Sequence, residues 1–268
     1  IRCHYYVQRI TTGEQLQRHS KLWRLVLAIS WLSLPTMHPA MADELDIAVA
    51  SNVAEARKAS ASRYEAESGH RINLIFGATG KHYAQIKNGA PFAAFFAADV
   101  HRPELLEKEG IAIPGSRFTY AVGRIVLWSP KAGYVDSQGK ILQQKPFRHI
   151  AIANPRLAPY GKAAQEFLQG RGLWDELQER LVRGENIGQT FQFVRSGSAE
   201  LGIVAYSQIK RPSHPFGGSL WEIPPSEYAP IAQQAVLLEE NPVARDFLTF
   251  IKSPEAIDII LGYGYAVH

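Results

Sequence analysis

The chain has 268 residues, 46% hydrophobic and 20% charged, an ordinary globular composition with enough apolar material for one or two domains. Its formal net charge of +4 is concentrated at one end: residues 1–42 carry Arg2, Arg9, Arg18, Lys21 and Arg24 against Glu14 alone, which leaves 24 basic and 24 acidic residues in 43–268. A formally neutral body removes the electrostatic support for a nucleic-acid role.

At the N-terminus, Lys21 and Arg24 lie at the start of an apolar run over 22–34, and Ala40-Met41-Ala42 follows. A basic flank, a short apolar core and an A-x-A site predict a secretory signal peptide cut after Ala42, with a mature chain Asp43–His268. The apolar run is too short for a membrane-spanning helix. Residues 1–20 form an extension ahead of that signal and are set aside from the fold. Cys3, the single cysteine, falls in the extension. The mature chain would then hold no disulfide and no thiol-ligated metal, which fits a bacterial periplasm.

From residue 45 the pattern alternates. Residues 45–51 read as a strand, 52–68 as a helix closed by Gly69, 72–77 as a strand, 79–89 as a helix closed by Gly89, 92–99 as a buried strand and 101–110 as a helix. That alternation predicts a mainly parallel sheet covered by helices on both faces. A second set follows: strands over 120–130 and 149–155, a turn and helix over 158–172, continued helix over 173–184, a helix opening at 186–197 and a strand starting at 200–209. The Pro- and Gly-rich stretch 210–230 reads as a loop, 231–240 as a strand, and 241–265 as two helices broken near Ser253-Pro254.

The stretch 76–86, FGATGKHYAQI, invites a nucleotide reading that its spacing refuses. A phosphate loop needs glycine where Ile75 stands and a hydroxyl where His82 stands. What remains is a strand, a turn with Gly77 and Gly80, the Thr79 hydroxyl and a helix start, which serves either as a small anion site or as an ordinary turn with a Thr cap. Enzyme signatures of the GxSxG and HExxH kinds are absent, and the nine histidines form no i, i+4 pair. His70 and His82 read as surface or cap residues. Three further polar turns sit at strand-to-helix junctions: Ser51-Asn52, Ala158-Pro159-Tyr160-Gly161 and Asn186-Ile187-Gly188. Together with Ala78-Thr79-Gly80 they could point four helix starts at one crevice, beyond the carboxyl ends of the strands.

The segments AVASN, FGATGKHYAQIKNGAPFAAFFAAD, NPRLAPYGKAA, ENIGQTFQFVRSGSAELGIVA and the terminal YGY resemble the periplasmic molybdate-binding proteins of the ModA family. The resemblance covers essentially all of 43–268, and QIKNGAPFAAFFAAD is its most specific piece. It implies a two-lobed α/β periplasmic-binding-protein fold of type II, with two crossover strands at a hinge. Residues 43–122 and 232–268 would form one lobe and 123–231 the other, with crossovers near Tyr120-Ala121-Val122 and Ala229-Pro230-Ile231. The implied ligand is molybdate or tungstate, held by Ser51, Asn52, Thr79, Tyr160 and Ile187. Ser51, Thr79 and Tyr160 would give hydroxyl donors, and Ile187 only its backbone N–H. The resemblance further implies a monomer that delivers its ligand to an ABC permease, with no catalytic residue, no cofactor, no direct protein–metal bond and no nucleic-acid partner.

Two departures from the family pattern stand out. Ala78 occupies a position that commonly carries a second hydroxyl, and Ala205, followed by Tyr206, stands where some members place a ligand tyrosine. A tetrahedral dianion can be held by neutral donors alone, because helix starts supply partial positive charge. Such a site favours a fully deprotonated ion, so discrimination against sulfate must come from cavity size. Lys81 could bias the field without touching the ion. The readings that remain beside a molybdate receptor are a receptor for another anion such as sulfate, a periplasmic enzyme on the same fold, and a ligand-sensing domain of a regulator.

Overall fold

The computed structural model describes residues 43–212 and 215–267; the predicted signal peptide, its cut after Ala42 and Cys3 lie outside the described residues. Strands β1 (Glu44–Ala50), β2 (Arg71–Gly77), β3 (Ala94–Phe96) and β4 (Phe118–Gly123) are linked by α1 (Ala54–Ser68), α2 (Thr79–Lys87) and α3 (His101–Lys108). The chain then lays down β5 (Ile125–Ser129), β6 (Ile150–Ala153), β7 (Leu181–Gly184), β8 (Leu201–Ala205) and β9 (Ser219–Glu222). Between them lie α4 (Ile141–Gln144), α5 (Pro159–Gly170), α6 (Ile187–Arg195) and α7 (Tyr206–Ile209). It returns through β10 (Ile231–Leu237) and closes with α8 (Pro242–Phe250) and α9 (Pro254–Gly262).

These strands form two sheets of the same design, ordered β2-β1-β3-β10-β4 and β7-β6-β8-β5-β9. Pairing is parallel among the first three strands of each sheet and antiparallel on both sides of the fourth. Each sheet therefore has a single reversed strand, and in each it is the strand that has just crossed from the other sheet. This exchange is the two-lobed, two-crossover architecture, with mixed rather than uniformly parallel sheets.

Period-2 alternation sends side chains of every central strand to two cores. In the first lobe Ile47, Val49, Phe96 and Leu237 face Phe247 and Leu248 of α8, while Ala48, Phe95 and Val236 face Ile86 of α2 and Leu106 of α3. In the second, Ile125, Leu127, Ile152 and Ile203 face Phe167 and Leu168 of α5, and Val126, Trp128 and Val204 face Phe191 and Val194 of α6.

Local chemistry sets the element ends. Gly69 closes α1 at φ 75, its N–H donating to the Glu65 carbonyl. Pro242 and Pro254 open α8 and α9 behind the capping side chains of Asn241 and Ser253.

The structure departs from the sequence reading where tertiary context decides. The strand expected over 120–130 is two strands in different sheets, broken at Arg124, whose guanidinium donates to the Gly264 carbonyl (2.9 Å) and pairs with Glu222 (3.0 Å). The helix expected over 173–184 does not form. Gly172 turns the chain at φ 68, Leu177 is buried in the second-lobe core, and 181–184 becomes the edge strand β7 beside β6. The stretch expected to be a loop over 210–230 contains β9, an edge strand on β5. The strand expected over 92–99 shrinks to β3, and that over 200–209 ends at Ala205, where α7 begins.

Candidate functional site

The carboxyl ends of β1, β2, β6 and β7 all lead into helix starts, and these meet between the two sheets. Ala50, Ser51, Asn52, Ala78, Thr79, Ala98, Tyr160, Asn186 and Ile187 line one small cavity there. All five residues that the resemblance nominated are among them. The cavity volume is ≈ 10 Å³, far below the roughly 300–1,000 Å³ of pockets that take drug-sized organic molecules. No charged side chain lines it.

The helix starts are built for an outside partner. The residues at the N-cap positions of α2 and α5 are Ala78 and Ala158, and neither gives a side-chain cap. Ser, Thr, Asp or Asn would ordinarily stand there and satisfy first-turn amides. Thr79 is not a cap: it is the first helical residue, almost fully buried, and its Oγ1 accepts the Ala98 N–H (3.1 Å). The hydroxyl hydrogen remains available to an acceptor in the cavity. At α6 the cap is conventional, with Asn186 Oδ1 accepting from Gln189 N (2.9 Å).

Contacts across the cleft hold the two lobes together around the cavity. Gly80 N donates to the Leu157 carbonyl (2.8 Å), Ser51 Oγ donates to Asn186 Oδ1 (3.1 Å), and Gly188 N donates to Ser51 Oγ (3.2 Å). A side chain at Gly80 would press on the Leu157 carbonyl, its Cβ falling 3.0 Å from that oxygen. Farther out, exposed Lys81 pairs with exposed Glu185. The lysine that drew attention in the sequence is therefore a rim residue.

Behind the cavity lies a buried neutral network. Asn52 Nδ2 donates to Gln233 Oε1 (2.8 Å) and the Tyr265 hydroxyl (2.9 Å), and lies 3.4 Å from the Tyr160 hydroxyl. Gln233 Nε2 donates to the Tyr160 hydroxyl (3.0 Å), and Gln233 Oε1 accepts from Tyr120 (3.0 Å). Burial holds the phenols of Tyr120, Tyr160 and Tyr265 above their ordinary range, so all three stay protonated. Beside them Arg57 is fully buried between the rings of Phe96 (4.7 Å) and Tyr120 (4.5 Å), its Nε without a hydrogen-bond partner and its pKa pulled down to about 10 by burial.

Several expectations change with this geometry. The Asn52 side chain turns into the hinge network rather than standing free beside Ser51. His82 is not a surface or cap residue: it is 2% exposed, with its ring between the Val49 carbonyl and Gln85, and burial lowers its pKa. Tyr206 packs against Arg124 at the hinge and does not line the cavity. Sequence reasoning missed Gln233, Tyr265 and the Asn186 side chain. The available signal was a polar pair, Gln233-Gln234, in the middle of an otherwise apolar central strand. Among the described residues no group of three or more His, Cys, Asp or Glu could hold a metal ion, and no helix is long and apolar enough to cross a membrane.

Comparison with known proteins agrees with this arrangement. The family pattern for bacterial extracellular solute-binding proteins matches residues 45–266. The molybdate-binding protein ModA of Azotobacter vinelandii is 48% identical over 231 residues, 85% of this chain and 92% of its own length. ModA of Rhodobacter capsulatus is 44% identical over 230 residues, 85% of this chain and 90% of its own. The solved structure of the Azotobacter vinelandii periplasmic molybdate-binding protein superimposes with a TM-score of 0.81 at 43% identity, covering 84% of this chain and 99% of that one.

Proposed function

The chain belongs to the bacterial extracellular solute-binding proteins and, within them, to the ModA family, and from that premise we propose that its interlobe cavity captures molybdate, and tungstate with it, for an ABC permease. The carrying observation is the cavity itself: small, free of charged side chains, and faced by the Ser51, Thr79 and Tyr160 hydroxyls and by helix starts whose N-cap residues are alanines. Uncapped amides and the helix dipoles favour an anion. Neutral hydroxyl and amide donors favour one that carries no proton, because a protonated oxygen would face donors and find no acceptor.

In this reading Thr79 and Tyr160 donate through their side chains, Ser51 does so once its hydroxyl turns from Asn186 Oδ1 to the ion, Ile187 donates its backbone N–H, and Asn52 acts from behind. Residues 43–122 with 232–268, and 123–231, are the two lobes that open and close about Arg124 and Pro230. Export by the N-terminal signal places the receptor in the periplasm as a monomer that turns over no substrate. Isothermal calorimetry tests this: molybdate and tungstate bind, and binding of sulfate or an organic ligand with no heat from molybdate overturns it.

A further inference from the structure

Gln233 lies in β10, the strand that has just returned from the second lobe, and it is fully buried. Its amide faces the network with Oε1 toward Asn52. Oε1 takes Asn52 Nδ2 at 2.8 Å and lies 3.0 Å from the Tyr120 hydroxyl, which also lies 3.1 Å from the Ala97 carbonyl, and it is the Asn52 contact that sets the amide, because the opposite orientation would put the Gln233 NH2 against the Asn52 NH2. The Asn52 amide is fixed in turn. Its Nδ2 lies 2.9 Å from the Tyr265 hydroxyl, whose own hydrogen has the Asn52 carbonyl and Ser207 Oγ, each at 2.9 Å, as acceptors. Gln233 Nε2 therefore donates to Tyr160, whose oxygen lies 3.0 Å away.

This has a chemical consequence at the cavity that Tyr160 lines. With its oxygen accepting from Gln233 and facing Asn52 Nδ2, Tyr160 can meet a ligand only as a donor, its hydrogen turning from Tyr265 to the ion. The approach is tight enough to require glycine on the neighbouring strand: a Cβ at Gly123 would fall 2.1 Å from the Tyr160 hydroxyl oxygen and 2.7 Å from Gln233 Nε2.

We propose that Gln233 is a positioning residue that sets Tyr160 as an obligate hydrogen-bond donor and so biases the site toward fully deprotonated tetrahedral oxyanions. The proposal rests on the reading that this cavity holds an oxyanion. It identifies a selectivity element outside the cavity wall, on the crossover strand itself.

A thermodynamic cycle on the purified full-length protein tests it, with calorimetric titration of sodium molybdate into wild type, Gln233→Met, Tyr160→Phe and the double variant. Expected is a loss of about tenfold or more in affinity for each single variant, with the double variant no weaker than Tyr160→Phe, because Gln233 acts through the phenol. Losses that multiply in the double variant, or a Gln233→Met protein that binds like wild type, overturn the proposal. Thermal melting accompanies each variant. Should Gln233→Met fail to fold, Gln233→Asn, an amide one methylene too short to reach Tyr160, replaces it in the same cycle with the same expected pattern. A wild-type protein that does not bind molybdate is a different failure, since it removes the functional reading on which this one stands.

Discussion

The rim of the cleft and its floor bridge the same two lobes with opposite chemistry. At the rim, charge meets charge in water: Lys81 with Glu185, both well exposed, and Arg211 with Glu55 at 3.7 Å. At the floor, amides and phenols meet buried away from bulk solvent: Asn52, Gln233, Tyr120, Tyr160 and Tyr265. The exposed pairs are screened and contribute little, typically 0–1 kcal/mol. The buried neutral bonds are directional, and each costs about 1–3 kcal/mol when one partner is left unmatched. Affinity and selectivity for an anion should therefore be controlled from the floor, although the conspicuous charges sit at the rim.

The largest expected effect is steric and comes from the floor. Gly123→Ala places a methyl group on the Tyr160 hydroxyl, and calorimetry should show molybdate affinity falling by about 100-fold or more while the circular dichroism spectrum is retained. Next is the cavity wall. Thr79→Ala removes one donor to a charged ligand and should cost roughly 1.5–3 kcal/mol of binding, and because it leaves the buried Ala98 N–H unmatched the melting temperature should fall as well. Unchanged affinity would demote Thr79 to a strut for Ala98.

A third prediction sharpens the contrast through pH. The three floor phenols hold their protons more tightly folded than unfolded, so the stability they give is complete below about pH 10, the unfolded value, and is lost progressively above it. Arg57 acts in the opposite sense above about pH 10, because there the unfolded chain binds the extra proton, but it is one group against three. The denaturant midpoint should fall as the buffer is raised through about pH 10, and a rising midpoint would contradict the assignment. The smallest effect belongs to the rim. Lys81→Ala should change molybdate affinity by less than about 1 kcal/mol, and the difference should shrink further in high salt.

The contrast also explains what could be read in the sequence. Strand-to-helix junctions were visible, because Ser51, Thr79, Tyr160 and Ile187 each sit next to an apolar run that ends in a polar turn, and the family pattern in those turns gave the order. The residue pattern ran one strand through the sheet switch, since only Gly123-Arg124 parts the strand-forming runs of β4 and β5 and long-range pairing separates them; the resemblance alone placed a crossover nearby, at Tyr120-Ala121-Val122. The sequence 173–184 has apolar residues at helical spacing, yet an open parallel edge beside β6 claims its last four residues as strand. The floor was harder still. Gln233 and Tyr265 lie 181 and 213 residues from Asn52, and no local period reports a contact of that range. Lys81 misled for a related reason: its position beside Gly80 suggests a phosphate ligand, and only the fold shows Glu185 facing it.

The most direct test is a calorimetric panel of tetrahedral oxyanions on the purified protein at one neutral pH. Molybdate and tungstate should bind, and phosphate, which keeps a proton there, should give no measurable heat. Binding of phosphate as tight as that of molybdate would contradict a site that presents its hydroxyls and amides to the ion as donors.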